Sequence, residues 1–226
     1  MPEPTDWQDV ADLPFAAVLT PHAGGLTAGA DYDCVRFDQL GFDEPQAASC
    51  QFIECALTGV TFQGGRLPKA RLRDVLMRDV RLIATGLAES HWTDVTVTES
   101  VAAGAEVFGA ELRRVTFRGC KLDSVNFRGS VLTEVTFAGC ELSDVDFAGA
   151  TLTRAAFPGS RLARTDFTNV TMNGTDLRGA ELGIIIGPDS LRGATVSAGQ
   201  LVYLAQVLAE TMGITVSDDW LHPSPR

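Results

Sequence analysis

The chain has 226 residues, 45% of them apolar and 21% charged, and it carries a formal net charge of −11. This apolar content is too high for an intrinsically disordered chain, and no apolar run approaches the roughly 18 residues that a membrane-spanning helix needs. The acidic balance argues against direct nucleic-acid binding, because proteins of that class present a basic surface. We therefore expect one folded domain with small caps and with neither a membrane nor a nucleic-acid partner.

The N-terminal segment MPEPTDWQDV has neither the basic nor the apolar region of a signal peptide. Five cysteines without such a signal indicate free thiols in a reducing compartment, so we expect a cytoplasmic protein. Residues 1–30 show no internal repeat but contain Trp7, Leu13, Phe15 and Leu19. We interpret these residues as an N-terminal cap that covers the first coil of the region that follows.

Residues 31–196 are organised by a period of five. From Tyr32 to Leu182 an apolar residue, in most cases a large one, recurs every five positions without insertion, and a small residue such as Val125 lies two positions before it. This period fits neither an α-helix, which repeats every 3.6 residues, nor a β-strand, which repeats every two. It indicates a chain that turns a corner every five residues and buries each coil against its neighbours. Glycines such as Gly129, two residues after a centre, suit these corners.

The number of sides follows from the alternation of the centres. From Phe117 to Phe167 they alternate between Phe and Leu, so an even number of sides stacks like residues on one another. Four sides, or 20 residues per coil, is the natural choice. Trp92 and Ala102 then lie on opposite sides of one coil, where their volumes offset each other. Seven to eight coils at about 4.8 Å each predict a rod about 35–40 Å long.

The runs VNFRGSVLTEVTFAGCELSDVDFAGATLTRAAF and TDLRGAELG resemble the pentapeptide-repeat family, whose motif is roughly A(D/N)LXX. The resemblance covers about two thirds of the chain. It implies the all-β fold of that family, a right-handed quadrilateral β-helix.

Residues 197–226 are predicted to form a helix, a short strand at Ile214–Val216 and a mobile Pro-rich tail. Ser197 and Gln200 fit a capping box at the start of the helix, and Gly213 fits its end. The wide apolar surface of this helix predicts either a dimer contact or a plain cap whose apolar residues all face inward. The resemblance implies a dimer, because C-terminal helices of this kind mediate dimers in the family. The candidate residues of this helix are Leu201, Tyr203, Leu204, Val207, Leu208 and Met212.

The sequence predicts no catalytic, cofactor or metal site. His22, His91 and His222 have no ligand spacing to a cysteine or an acid. Cys120 and Cys140 are one predicted coil apart, which leaves a disulfide or a metal as alternatives to packing; we favour packing because serine and alanine occupy the equivalent positions. We therefore do not expect an enzyme.

Charge varies along the rod. Residues 1–60 carry a net charge of −9, residues 61–130 carry +3 and the remainder carries −5. Charges that are one predicted coil apart should stack, and two such columns alternate in sign, which predicts neutralising ladders: Lys121/Glu141/Arg161/Glu181 and Asp94/Arg114/Glu134/Arg154. A third column, with Glu106, Asp146 and Asp166, contains no base.

Two functions remain open. The first is a protein-interaction solenoid with an unknown partner, for which the basic residues between Arg66 and Arg81 offer a contact for an acidic surface. The second is implied by the resemblance: a DNA mimic that binds DNA gyrase or topoisomerase IV and protects against quinolones. The candidate acidic face would then contain Glu106, Asp146, Asp166, Asp31, Asp33, Asp38, Asp43 and Glu44.

The magnitude of the charge favours the first function. DNA carries one charge per roughly 1.7 Å, or about 22 over the length of the rod. Residues 31–182 contain 21 acids and 16 bases, a net charge of −5. A full DNA surrogate is therefore not expected.

Overall fold

The computed structural model describes residues 7–183 and 185–217. The chain forms a parallel β-solenoid of about eight coils, followed by one α-helix. Strands pair in register with the equivalent strands of the next coil, as Leu112 does with Leu132 and Leu122 with Leu142. The predicted length of the coil and its four walls are therefore confirmed.

We name the four walls by their central residues in the middle of the rod, and the equivalent residues of a wall lie one coil apart. The first wall is centred on Leu112, the second on Phe117, the third on Leu122 and the fourth on Phe127. Along each wall the central side chain points into the core and the residues on either side of it point outward.

The first and second walls share one sheet of 11 strands: Thr20–Pro21, Asp31–Asp33, Val35–Asp38, Gln51–Thr58, Arg71–Arg78, His91–Thr98, Glu111–Arg118, Val131–Thr133, Thr136–Ala138, Thr151–Thr153 and Thr171–Asn173. The third wall is a sheet of eight strands: Gly41–Asp43, Thr61–Gln63, Arg81–Ile83, Val101–Ala103, Lys121–Asp123, Glu141–Ser143, Arg161–Ala163 and Glu181–Leu182. The fourth wall is held mainly by single bridges, from Gln46 to Asp166. Two short pairs lie near the C-terminal end: Thr165–Asp166 with Ile185–Ile186, and Thr175–Asp176 with Ala194–Thr195.

The corners require a left-handed backbone, and glycine supplies only part of them. Gly129 has φ +63°, as the five-residue pattern predicts. The strands that bend from the first wall to the second place Asp74, Asp94 and Arg114 at φ values of 55°, 55° and 51°. A short polar side chain such as Asp tolerates this region better than a bulky or β-branched residue does.

Stacked aromatic rings fill the core. Phe137 lies 4.8 Å from Phe117 and 5.0 Å from Phe157, measured between ring centroids, with nearly parallel planes. The column of Phe127, Phe147 and Phe167 stacks in the same way. Both columns are those that the sequence predicts.

Trp92 is 3% exposed in the core, and it shares with Ala102 the lining of a cavity of about 20 Å³. The volumes of these two residues therefore offset each other almost completely.

The first described part of the predicted N-terminal cap, residues 7–19, does not cover the first coil. Leu13 and Phe15 instead pack against the outward side chains of Ala56 and Leu76 on the second wall. Two 3₁₀ helices, Val10–Asp12 and Ala16–Val18, shape this strap. It lies on the wall because Ala56 and Leu76 are apolar at outward positions, which gives it a surface to bury. Residues 1–6 lie outside the described part of the chain.

The open end of the first coil is covered by the residues that follow the strap. Thr20–Pro21 pairs with Val35 and Arg36. The ring of His22 packs on Tyr32 and Phe37, with ring centroids 5.4 and 4.8 Å away.

The C-terminal end is closed by helix α1, Ala198–Thr211. Its predicted capping box between Ser197 and Gln200 is present. The Gln200 amide also donates hydrogen bonds to the carbonyl oxygens of Leu177 and Ala180, at 2.6 and 2.8 Å, so the cap joins the helix to the last regular coil. Leu204 is buried in the core.

Residues 212–217 contain no strand, so the predicted strand at Ile214–Val216 is wrong. The chain turns at Gly213, and the segment after it has no neighbouring strand to pair with among the described residues. The predicted mobile tail, residues 221–226, lies outside the described residues, and the boundaries at residues 30 and 196 stay predictions.

Candidate functional site

The column of Glu106, Asp146 and Asp166 lies on the fourth wall, where bridges connect its members through Asn126. One carboxylate oxygen of Asp146 accepts a hydrogen bond from the backbone N–H of Ala148 at 2.8 Å. Asp166 accepts the equivalent bond from Thr168 at 2.8 Å. These two carboxylates therefore stabilise the turns that follow them, which is a structural role that the sequence analysis did not assign.

A base on the same wall reduces the charge of this column. The Arg128 guanidinium donates to the second oxygen of Asp146 at 2.9 Å. Asn126 donates to Glu106 at 2.7 Å. Asp166 is the one member of the column without a side-chain partner among the described residues. Column stacking alone missed Arg128 because this residue lies diagonally from Asp146 and not at the equivalent position of the preceding coil, which Asn126 occupies.

The acids of the first coils do not join this column. Asp31 and Asp33 lie on the first wall, Asp38 on the second and Asp43 on the third, with Glu44 at the next corner. Asp31 accepts from Gln51 at 2.7 Å, Asp38 pairs with Arg36 at 2.9 Å, and Glu44 accepts from the backbone N–H of Gly65 at 3.1 Å. The eight candidate acids thus form a ring at one end and a row near the other, not one face.

The basic residues between Arg66 and Arg81 also encircle the rod, because the chain turns a corner every five residues. Arg66 lies on the fourth wall, Arg71 and Arg73 on the first, Arg78 on the second and Arg81 on the third. Arg73 lies 3.8 Å from Asp74. Arg78 pairs with Asp9 of the strap and with Glu99, at 2.6 and 3.3 Å. The same stretch therefore offers no single basic face.

The predicted ladders are present. Arg114 donates to Asp94 at 2.6 Å and Arg154 to Glu134 at 2.8 Å. Lys121 lies 3.5 Å from Glu141, and Arg161 lies 3.5 Å from Glu181. Each exposed pair contributes only about 0–1 kcal/mol, so the ladders neutralise the surface more than they stabilise the fold.

Helix α1 turns only part of its apolar surface toward the solenoid. Leu204 is 3% exposed, and Leu208 is half-buried against the core. The other four candidate residues are exposed, with fractions of 51% for Leu201, 61% for Tyr203, 39% for Val207 and 76% for Met212. The helix therefore does not turn all its apolar residues inward, as a plain cap would.

A polar groove of about 530 Å³ runs along the corner between the fourth and first walls, and the sequence analysis did not find it. We call it the edge groove. One side is formed by Ser49, Lys69, Glu89 and Gly109, and the other by Gln51, Arg71, His91 and Glu111. A search for outward residues on both sides of one corner would have signalled it, since long side chains flank that corner on consecutive coils.

The sequence model described as "Pentapeptide repeat region" matches residues 110–184. Residues 110–184 are therefore a pentapeptide-repeat region. No curated protein sequence matches the chain. Among solved structures, trypsin-treated QnrB1, a plasmid-mediated fluoroquinolone resistance protein, is 17% identical over 88% of this chain and 100% of its own, with a TM-score of 0.64.

HetL, a pentapeptide-repeat protein involved in heterocyst differentiation regulation in Nostoc sp. strain PCC 7120, is also 17% identical. The match covers 76% of this chain and 91% of HetL, with a TM-score of 0.35. At 17% identity the likeness of this chain to QnrB1 concerns the fold alone.

The cysteines of the solenoid are free thiols. Burial raises the pKa of Cys50 and Cys55 to about 11. The Cys140 thiol donates to the carbonyl oxygens of Phe117 and Ala138 at 3.4 and 3.5 Å, and the neighbouring Cys120 thiol together with burial raises the pKa of Cys140. Thiols with raised pKa values stay protonated and unreactive, as expected for packing residues.

Asp33, Cys34 and Glu54 form the one cluster of three metal-type donor atoms among the described residues, all within 4.8 Å. Burial and the two carboxylates raise the pKa of Cys34 to about 11. The thiol is therefore protonated at neutral pH in the metal-free protein, and a metal ion would have to displace this proton to bind the sulfur. In the described part of the chain, no helix is long and apolar enough to cross a bilayer.

Proposed function

We propose that this protein is a non-enzymatic protein-interaction module that forms a homodimer through helix α1. The observation that carries the proposal is the exposed apolar surface of that helix. Val202 is 78% exposed and Met212 is 76% exposed, and Ile214 and Val216 extend the surface beyond the helix at 51% and 60%.

The helix is apolar around most of its circumference. A helix of 14 residues is about 21 Å long, and of its residues only Leu204 is fully buried. Helices that are apolar on nearly all sides are buried in the functional state. Contiguous exposed apolar surface marks an interaction site.

A second copy of the chain is the occupant that we favour. A twofold contact places the same patch on both partners, so the patch must be compatible with itself. Although the chain carries −11 in total, α1 contains one acid, Glu210, and no base. Two such helices meet without strong repulsion and bury Val202 and Tyr203 of both copies.

Val202→Asp tests the dimer. We expect the wild type to be a dimer in light scattering at micromolar concentration and the variant to be a monomer, because the new charge would be buried in the contact. The matched control is Val18→Asp, since Val18 is 59% exposed on the strap, away from α1. A wild type that stays monomeric at all concentrations, or a Val18→Asp variant that dissociates equally, contradicts the proposal.

Outward residues of the walls would then carry the specificity for a protein partner, since the inward ones are committed to packing. We place this activity in a reducing compartment such as the cytoplasm, because the five cysteines are free thiols. Site-specific photocrosslinkers at outward positions of the walls, compared with one at Val18, test whether a partner contacts the rod.

Binding to a type II topoisomerase, with protection against quinolones, is the second candidate. It is supported by the fold shared with QnrB1 over 88% of the chain and by the acidic column of the fourth wall. Arg128 weakens it, because this base neutralises Asp146 within the column.

The double variant Asp146→Asn/Asp166→Asn tests the second candidate. Asn fits this column, since Asn126 accepts the equivalent turn hydrogen bond from the backbone of Arg128 at 3.0 Å. The variant therefore removes charge while keeping the turns. DNA supercoiling by gyrase, with and without a quinolone, is the assay. If the wild type protects gyrase and the double variant protects it equally, the acidic column is not the contact.

A further inference from the structure

The edge groove has opposite charges at its two ends. Toward one end, Lys69 and Arg71 lie on opposite sides of the groove. Two coils further along, Glu111 lies on the same side as Arg71, and the corner opposite is Gly109, which contributes no side chain. The groove is therefore basic toward one end and acidic toward the other.

Several of these charges are already paired within the chain. Lys69 lies 3.5 Å from Glu89, and His91 lies 3.7 Å from Glu111. Arg71 has no ion pair among the residues that the structure describes, and its strand neighbours at the same register position, Gln51 and His91, carry no carboxylate. An exposed guanidinium without a carboxylate can take an external carboxylate through two parallel hydrogen bonds.

We infer that the edge groove binds an extended peptide segment of a protein partner, one that carries an acidic side chain for Arg71 and a basic side chain for Glu111. The inference rests on the proposed interaction function and names the chemistry of its partner. The acidic residue meets Arg71, with Lys69 across the groove, and the basic residue meets Glu111.

The dimensions of the groove favour a peptide over a small molecule. Residues 71 and 111 are two coils apart, or about 10 Å along the rod at the spacing of β-strands. A free amino acid is too short to span this distance. An extended chain advances about 3.3 Å per residue, so an acidic and a basic side chain two to four residues apart reach both ends. The groove runs across four coils, from Gln51 to Glu111, and follows the surface of the rod.

The test uses fluorescent synthetic decapeptides in a Gly/Ser/Thr background, with fluorescence anisotropy as the readout. One set carries Asp and Lys separated by one, two or three residues, and the others carry only Asp or only Lys. We expect the mixed peptides to bind the full chain and both single-charge peptides to bind at least tenfold more weakly.

Charge reversal separates recognition from folding. Arg71→Glu and Glu111→Arg should each weaken binding of the mixed peptide at least tenfold. The double variant Arg71→Glu/Glu111→Arg should restore it, because the peptide can bind in the opposite direction. Arg113→Glu is the matched control: Arg113 is exposed on the same wall but lies outside the groove, so binding should not change.

Four outcomes overturn the inference: no binding at about 1 mM protein, equal binding of the mixed and Asp-only peptides, no restoration in the double variant, or an equal loss in Arg113→Glu. Competition by inorganic phosphate at the same affinity as the peptide would indicate an anion site alone and would overturn it too.

Light scattering on the same variants separates this inference from the proposed function. A dimer that binds no peptide refutes the groove and leaves the dimer intact. A monomer that binds the mixed peptide refutes the dimer and supports the groove.

Discussion

Phe137 is fully buried in the middle of the aromatic core, and its replacement by alanine measures how strongly the coils are coupled. Its ring stacks on Phe117 and Phe157 and meets Phe127 and Phe147 edge to face, at centroid distances of 6.4 and 6.1 Å. Truncating a buried Phe to Ala costs about 3–5 kcal/mol through lost burial and the cavity that remains. Because four aromatic neighbours lose their partner, we expect a value at the upper end of this range.

Phe167→Ala is the matched comparison. Phe167 is also fully buried, but among the rings of the core it stacks only on Phe147, at 5.6 Å. An aromatic pair adds about 0.5–1.5 kcal/mol beyond burial. Phe137 makes three more ring contacts than Phe167, so Phe137→Ala should cost at least about 1.5 kcal/mol more than Phe167→Ala.

Urea unfolding followed by circular dichroism measures both variants. Each coil of a solenoid is stabilised by its neighbours, so a cavity in the middle should weaken both halves, and the slope of the transition is recorded together with its midpoint. A cost below about 2 kcal/mol for Phe137→Ala, or a cost equal to that of Phe167→Ala, would refute the account of the core.

Three further outcomes are expected. Gly129→Ala should cost about 1–2 kcal/mol through its φ of +63° alone, because open space surrounds this residue. Gly65→Ala should cost more, because a Cβ there would lie 2.3–2.5 Å from atoms of the neighbouring coil. Thermal denaturation compares the two variants. Ser160→Ala should cost about 1–3 kcal/mol in urea unfolding, because its buried hydroxyl donates to the carbonyl of Phe137 at 2.8 Å and accepts from the N–H of Cys140 at 2.9 Å, both in the preceding coil. Hydrogen bonds from Arg164 lower the pKa of Asp144, so the ionised Asp144 stabilises the fold above the unfolded pKa, and this stabilisation is lost as pH falls. Burial raises the pKa of Asp74, so the protonated Asp74 is favoured in the fold below the unfolded pKa, and this advantage is lost as pH rises. Melting temperatures should therefore show Asp144→Asn less stable than the wild type at pH 7 and Asp74→Asn more stable there, with both differences vanishing at strongly acidic pH.

The ladders and the acidic column show which side-chain contacts the spacing of residues predicts. Lys121 and Glu141 were predicted as partners from their spacing of one coil alone, because the strand ladder places such residues side by side. Arg128 and Asp146 lie on the same wall but at different positions of neighbouring coils, where the length of the arginine side chain decides the contact. A spacing of one coil therefore predicts contacts between directly stacked residues but not contacts between diagonally placed residues.

The strap shows the same limit at longer range. The sequence identified Leu13 and Phe15 as apolar residues that need a surface, and it placed that surface at the open end of the rod. Leu76 is an apolar residue at an outward position, and this local departure from the repeat draws the strap onto the second wall. The ion pair between Asp9 and Arg78 joins two distant parts of the chain, which neither the five-residue period nor the length of a coil predicts.

The sequence by itself determined the period, the four walls, the columns of the core and the capping box of α1. These features depend on local geometry and on a strand spacing that repeats identically in every coil, so the spacing of apolar residues is sufficient to predict them. Only the tertiary structure decided where the strap lies, which apolar residues of α1 stay exposed, which carboxylates are neutralised and that the edge groove exists. Those features depend on the docking of segments outside the repeat and on the reach of individual side chains, and neither is encoded in a period.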